Sequence, residues 1–224
     1  MALEHLQQFT KQRFLLCEGD DDKGFLEALI FARGLPEFQI CHSAQCNPEE
    51  TGGKTGFAKS LRAKRWEALT GWRDVKAVLL VTDNDRVGPA FADAQKALSD
   101  NGYTAPLNPA AVGNIAGKPV AILMIPRADA AGDLESLCLP AIHATWPLAE
   151  QCVASFLKCT GADTWKKPAS VNKSRARAAA VGFYEPDPYM GIGHLFRNGT
   201  LPTNHTCFDD IVAFLRNFDA MCGI

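Results

Sequence analysis

The chain has 224 residues, 47% hydrophobic and 21% charged, which fits one sizeable folded domain and excludes a disordered segment. With 23 Lys+Arg against 25 Asp+Glu the net charge is -2, so no global field selects a polyanion or a membrane surface. No apolar run approaches the ~18 residues of a membrane span, and "MALEHLQQFTKQRF" lacks a signal-peptide pattern. The expectation is a cytoplasmic protein with no membrane partner, whose eight scattered cysteines stay reduced.

In chain order, Phe14–Cys17 is a short strand, followed by a helix with Phe25, Leu26, Ala28, Leu29 and Ala32 at helical spacing, stopped by Gly34 and Pro36. Phe38–Cys41 is a second strand. A polar loop over Ser43–Gly56 leads to a helix carrying Phe57, Leu61 and Leu69. Val75–Thr82, "VKAVLLVT", is apolar enough to be buried on both faces, as in a parallel sheet. A helix over Pro89–Asn101 and a strand over Pro119–Ile125 follow. Beyond Pro140 the pattern predicts helices near Leu148–Lys158 and around Lys173, and a last helix burying Ile211, Val212, Phe214, Leu215 and Phe218. Strand–helix alternation predicts an α/β fold with a mainly parallel sheet, whose functional groups gather beyond the carboxyl ends of its strands.

Acidic clusters occur where those apolar strands end. Glu18 follows "FLLC", Asp83 and Asp85 follow "VLLV", and Asp129, Asp133 and Glu135 follow "AILMI". If the strands are parallel, all lie at one sheet edge, where crowded carboxylates repel unless a hard cation such as Mg2+ or Mn2+ neutralises them. The competing explanation is helix capping by Asp, together with the favourable position of Asp20–Asp22 at a helix start.

The stretches "LLCEGDDDKGFLEAL", "VLLVTDNDRVG" and "IPRADAAGDLESL" resemble, in that order, the acidic motifs of Toprim domains in the OLD-nuclease-like branch. The resemblance covers roughly residues 12–140, which would form a Toprim-like (Rossmann-like) core, with 141–224 a mostly helical C-terminal extension packed on it. It implies that Glu18 is a ligand or general acid/base and that Asp83 and Asp85 are metal ligands. It also implies that Asp22, Asp133 and Glu135 serve a second ion, and that a lysine C-terminal to the core, Lys173, stabilises transition-state charge. Asp20 and Asp21 are read as solvated or capping residues.

"ETGGKTGF" approaches a phosphate-binding loop, but the first glycine of that pattern is replaced by Pro48. Lys54 is instead a candidate phosphate contact, with Lys59 and Arg62 after it and Lys166, Lys167, Arg175 and Arg177 in a second basic stretch. Cys41, His42 and Cys46 form a tight group without the second ligand pair a zinc site wants.

The expected function is hydrolysis of nucleic-acid phosphodiesters with one or two Mg2+ or Mn2+ ions. The alternative is a non-catalytic Toprim module that binds nucleic acid or a separate ATPase chain, since OLD nucleases normally carry an ATPase domain. Phosphoryl chemistry on a small molecule is a third possibility.

Overall fold

Five strands form one sheet: β1 (Arg13–Cys17), β2 (Gln39–His42), β3 (Ala77–Asp83), β4 (Gly113–Ile115) and β5 (Lys118–Ile125). Their order is β2-β1-β3-β5-β4. The first four run parallel and β4 pairs antiparallel with β5. The computed structural model describes residues 5–46, 59–61, 65–187 and 190–224.

Period-two alternation decides which core each strand residue enters. Leu15 and Cys17 of β1, Leu79 and Val81 of β3, and Leu123 and Ile125 of β5 join one apolar cluster. Phe14 and Leu16, Val78 and Leu80, and Ile122 and Met124 join the other. Every central strand is therefore buried on both sides, which is why these segments read as unbroken apolar runs.

The helices are α1 (Asp20–Ala32), α2 (Ser43–Cys46), α3 (Arg65–Ala68), α4 (Pro89–Asp100), α5 (Leu134–Thr145), α6 (Ala149–Thr160), α7 (Pro168–Phe183), α8 (Ile192–Arg197) and α9 (Asp209–Cys222). Leu98 of α4 covers one face with Phe9, Trp66 and Trp72. The other face is covered by α1 and by α5 to α9, through residues such as Phe25, Cys138, Leu157, Ala179, Phe196 and Leu215. The molecule is thus α/β, with a mainly parallel Rossmann-like sheet flanked by helices and closed by a C-terminal helix.

Two differences from the sequence reading have local causes. The edge strand β4 has three residues and no apolar run to announce it. Helix α5 runs through the expected division at 140, with Pro140 in its interior. Proline removes one ladder N–H, but Leu137, Cys138, Ala141 and Ile142 bury a continuous face on either side of it. Phe57 lies outside the described residues. Residues 62–64 do so too; of the expected helix, Lys59, Ser60 and Arg65–Ala68 are helical, with Leu61 buried and Leu69 half-buried.

One close contact seats α1 against α8. A Cβ built on Gly24 would lie 2.7 Å from the carbonyl carbon of Gly193, so only glycine lets α8 approach α1 this closely. Asp21 Oδ1 accepts a hydrogen bond from Gly193 N (2.9 Å), and Arg197 pairs with Asp20 and Glu27. Asp20 and Asp21, expected as solvated or capping residues, therefore tie α8 down. Among the described residues no helix is long and apolar enough to cross a membrane, and all eight cysteines are free.

Candidate functional site

The register of the parallel strands brings their carboxyl ends together. Leu16 of β1 pairs with Leu80 of β3, and Asp83 of β3 with Ile125 of β5. Glu18, Asp83 and the start of α5 with Asp133 and Glu135 therefore meet at one edge, where α1 adds Asp22.

Glu18 is 9% exposed. Its Oε1 accepts a hydrogen bond from the Thr82 hydroxyl and another from Asp83 N at 3.3 Å. Ser43 Oγ donates to the Glu18 carbonyl (2.7 Å), and the Ser43 carbonyl accepts from Ser60 Oγ (2.9 Å). Asp22 accepts from Gly19 N at 2.9 Å, a capping contact within the first turn of α1. Asp83 Oδ1 accepts from Leu134 N (3.2 Å), joining β3 to the start of α5.

Asp133 is the N-cap of α5. Its Oδ1 accepts from Ser136 N (2.8 Å) and from Asn172 Nδ2 (3.4 Å). Capping thus accounts for part of what Asp22 and Asp133 do. It does not account for Asp133 Oδ2, which is fully buried and has no hydrogen-bond partner.

The carboxyls act on one another. Burial, then the charges of Glu18 and Glu135, push Asp22 up to about 7 against the opposing Gly19 N–H. Burial, then the charges of Asp22, Glu18, Glu135 and Asp133, push Asp83 well above the ordinary carboxylate range. Glu135 is raised by burial, and Lys173 opposes the rise. Lys173 itself is lowered by partial burial, but Glu135, Asp83, Asp133 and Asp22 outweigh that and raise it. Lys173 therefore sits in the field of the acidic edge.

Other expected residues fall elsewhere. Asp85 is exposed in the loop beyond β3, outside the group of charges that chiefly act on Asp22, Asp83 and Glu135. Lys166, Lys167, Arg175 and Arg177 are exposed, and Lys59 is half-buried. Lys54 and Arg62 lie outside the described residues.

Some residues of the edge had no separate signal in the sequence. Asn84, 1% exposed, donates through Nδ2 to the carbonyls of Arg127 (2.8 Å), Ala130 (3.0 Å) and Ala128 (3.2 Å), which holds the acidic loop against β3. Thr82 orients Glu18, and Asn172 reaches Asp133 from α7. His42 ends β2 opposite Cys17, next to Glu18 in the chain, and burial lowers its pKa.

The chemistry of these oxygens would suit a hard divalent cation: all are carboxylates, Lys173 is a cation that the structure shows acting on them, and Asp133 Oδ2 is buried without a hydrogen-bond partner among the described residues. Among the described residues no group of three or more His, Cys, Asp or Glu side chains is close enough to hold a metal ion as placed, and that includes Cys41, His42 and Cys46. Binding at the acidic edge would have to draw its carboxylates together.

Residues 12–219 match a protein family described as a protein of unknown function (DUF3226). No curated protein and no solved structure matches the chain.

Proposed function

The chain belongs to the DUF3226 family, and we propose that it is a Toprim-type nuclease that hydrolyses nucleic-acid phosphodiesters at its carboxylate edge with Mg2+ or Mn2+. The observation that carries this reading is the convergence of Glu18, Asp22, Asp83, Asp133 and Glu135 near Lys173 at the carboxyl ends of parallel strands, where burial first and neighbouring carboxylates second raise Asp22, Asp83 and Glu135. When bound, the ion supplies charge neutralisation and Lewis-acid activation of water and phosphate.

The residues of the chain divide the remaining work. Glu18, oriented by Thr82 and Asp83 N, takes the proton of the attacking water. Asp22, with a pKa of about 7, holds or releases a proton near neutrality. Lys173 offsets negative charge that develops on the phosphoryl oxygens. Exposed Lys166, Lys167, Arg175 and Arg177 meet flanking phosphates that the acidic edge alone would repel. The proposed setting is the cytoplasm, where eight free thiols stay reduced.

The test is calorimetric titration with Mg2+ and Mn2+ alongside cleavage of labelled DNA and RNA. Asp83→Asn is expected to weaken metal binding at least about tenfold, and both Glu18→Gln and Asp83→Asn to abolish cleavage. Full metal-dependent cleavage by both variants overturns the assignment.

The spacing of the carboxylates favours a second reading, a non-catalytic module that binds nucleic acid or a separate ATPase chain. Metal binding without turnover on any DNA or RNA selects it.

A further inference from the structure

The four tryptophans of the chain are placed unequally. Trp66 and Trp72 are 3% and 5% exposed in one core, and Trp146 is half-buried and stacks on Phe183. Trp165 is 51% exposed. Its backbone is held at the end of a short 3-10 turn, where Trp165 N donates to the Ala162 carbonyl and the Thr164 hydroxyl to that of Gly161. The indole is thus presented from a fixed base with much of its surface in water. That leaves an apolar surface uncovered where burial would stabilise.

Lys166 and Lys167 follow directly, both exposed and neither paired with a carboxylate among the described residues. Pro168 then opens α7, and Lys173 stands six residues beyond Lys167, about 9 Å along the helix axis. An open aromatic ring and two cations therefore lead along the chain into the helix that carries Lys173.

We propose that Trp165, Lys166 and Lys167 form a platform for single-stranded nucleic acid, on which one base stacks on the Trp165 indole while its flanking phosphates meet the two lysines. The inference rests on nucleic acid being the polyanion of the acidic edge, and it narrows the substrate to unpaired strands. A base inside a duplex already has both faces stacked and none to offer an indole, whereas an unpaired base does. The lysines answer the backbone charge, and the ring accepts any base.

Binding is measured without catalysis, in EDTA, by fluorescence anisotropy of a labelled thymidine homopolymer and of a duplex of the same length. The single strand is expected to bind more tightly than the duplex. Trp165→Ala should weaken it about tenfold or more, and Trp165→Phe, which keeps a ring, should retain most of the affinity. Lys166→Gln and Lys167→Gln should each reduce the slope of log affinity against log salt by about 0.7. Equal binding of strand and duplex, or unchanged affinity in Trp165→Ala, overturns the platform.

The two readings fail separately. Trp165-dependent binding without cleavage in Mg2+ or Mn2+ retains the platform and rejects the nuclease. Cleavage with indifference to Trp165 does the reverse.

Discussion

The Thr82 hydroxyl donates to Glu18 Oε1, so β1 and β3 are joined at their carboxyl ends by side chains as well as by the sheet ladder. Thr82→Val keeps the shape and removes the donor, leaving that oxygen with Asp83 N at 3.3 Å. A hydrogen bond to a charged group contributes about 1.5–3 kcal/mol, and urea unfolding should show a loss of that size, with Thr82→Ser recovering most of it.

Asp22 gives a pH dependence with a definite sign. Its carboxyl rises from an ordinary 3.8 to about 7 in the folded chain, so between those values the folded state holds more protons than the unfolded one. Stability contributed through this group is intact below the window and falls as pH rises through it. In divalent-free buffer Asp22→Asn should therefore be more stable than the parent above the window, by up to about 4 kcal/mol, and equal to it below. Thermal melts at both ends of the window measure this. A parent that gains stability across it relative to Asp22→Asn contradicts the expectation.

Gly24→Ala places a methyl 2.7 Å from the Gly193 backbone, which cannot rotate away as a side chain could. Overpacking of this kind costs about 1–3 kcal/mol. Because α8 also holds Asp21, the change should speed hydrogen exchange in the first turn of α1 beyond the global loss. Uniform protection of α1 in the variant would count against the clamp.

Asn84→Asp puts a carboxylate oxygen where an amide now faces three carbonyls. A buried charge left without a partner costs about 3–5 kcal/mol, so this change of a single atom should destabilise more than any other substitution named here. Denaturant melts of Asn84→Asp beside Asn84→Ala separate the repulsion from the lost hydrogen bonds.

Lys173→Gln removes the cation that opposes the rise of Glu135. The exposed position predicts an intact fold by circular dichroism. In the cleavage assay kcat should fall about 10²-fold or more while KM changes little, since the lysine is assigned to transition-state charge. A change in KM alone would make Lys173 a simple phosphate contact.

What the sequence discloses here depends on how many residues share a signal. β1, β3 and β5 are buried on both faces, and each therefore appears as a run of apolar letters. Parallel pairing then places Glu18, Asp83 and Glu135 at one edge without further information. Residues that act singly leave no such trace: Thr82, Asn84 and Asn172 are isolated polar letters whose roles exist only once distant segments meet. Asp85 is a different case. An Asp-x-Asp spacing puts both acids on one face only while the strand continues, but β3 ends at Asp83 and Asn84 turns into the loop of residues 127–130. Helix α5 crosses residue 140, where the resemblance ends, because the apolar residues flanking Pro140 bury a continuous face.

The same clamp that seats α1 has a temporal side. Asp21 meets Gly193 across 172 residues, and Arg13 of the first strand pairs with Asp219 across 206. A chain emerging from the ribosome can pair β1, β2 and β3 early, since domains form from the N-terminus as they are made. Its first helix, however, waits for α8, and its first strand waits for α9. The acidic edge thus reaches its final form only after α8 and α9 have been made, so a chain that still lacks them carries the carboxylates without the framework that orients them.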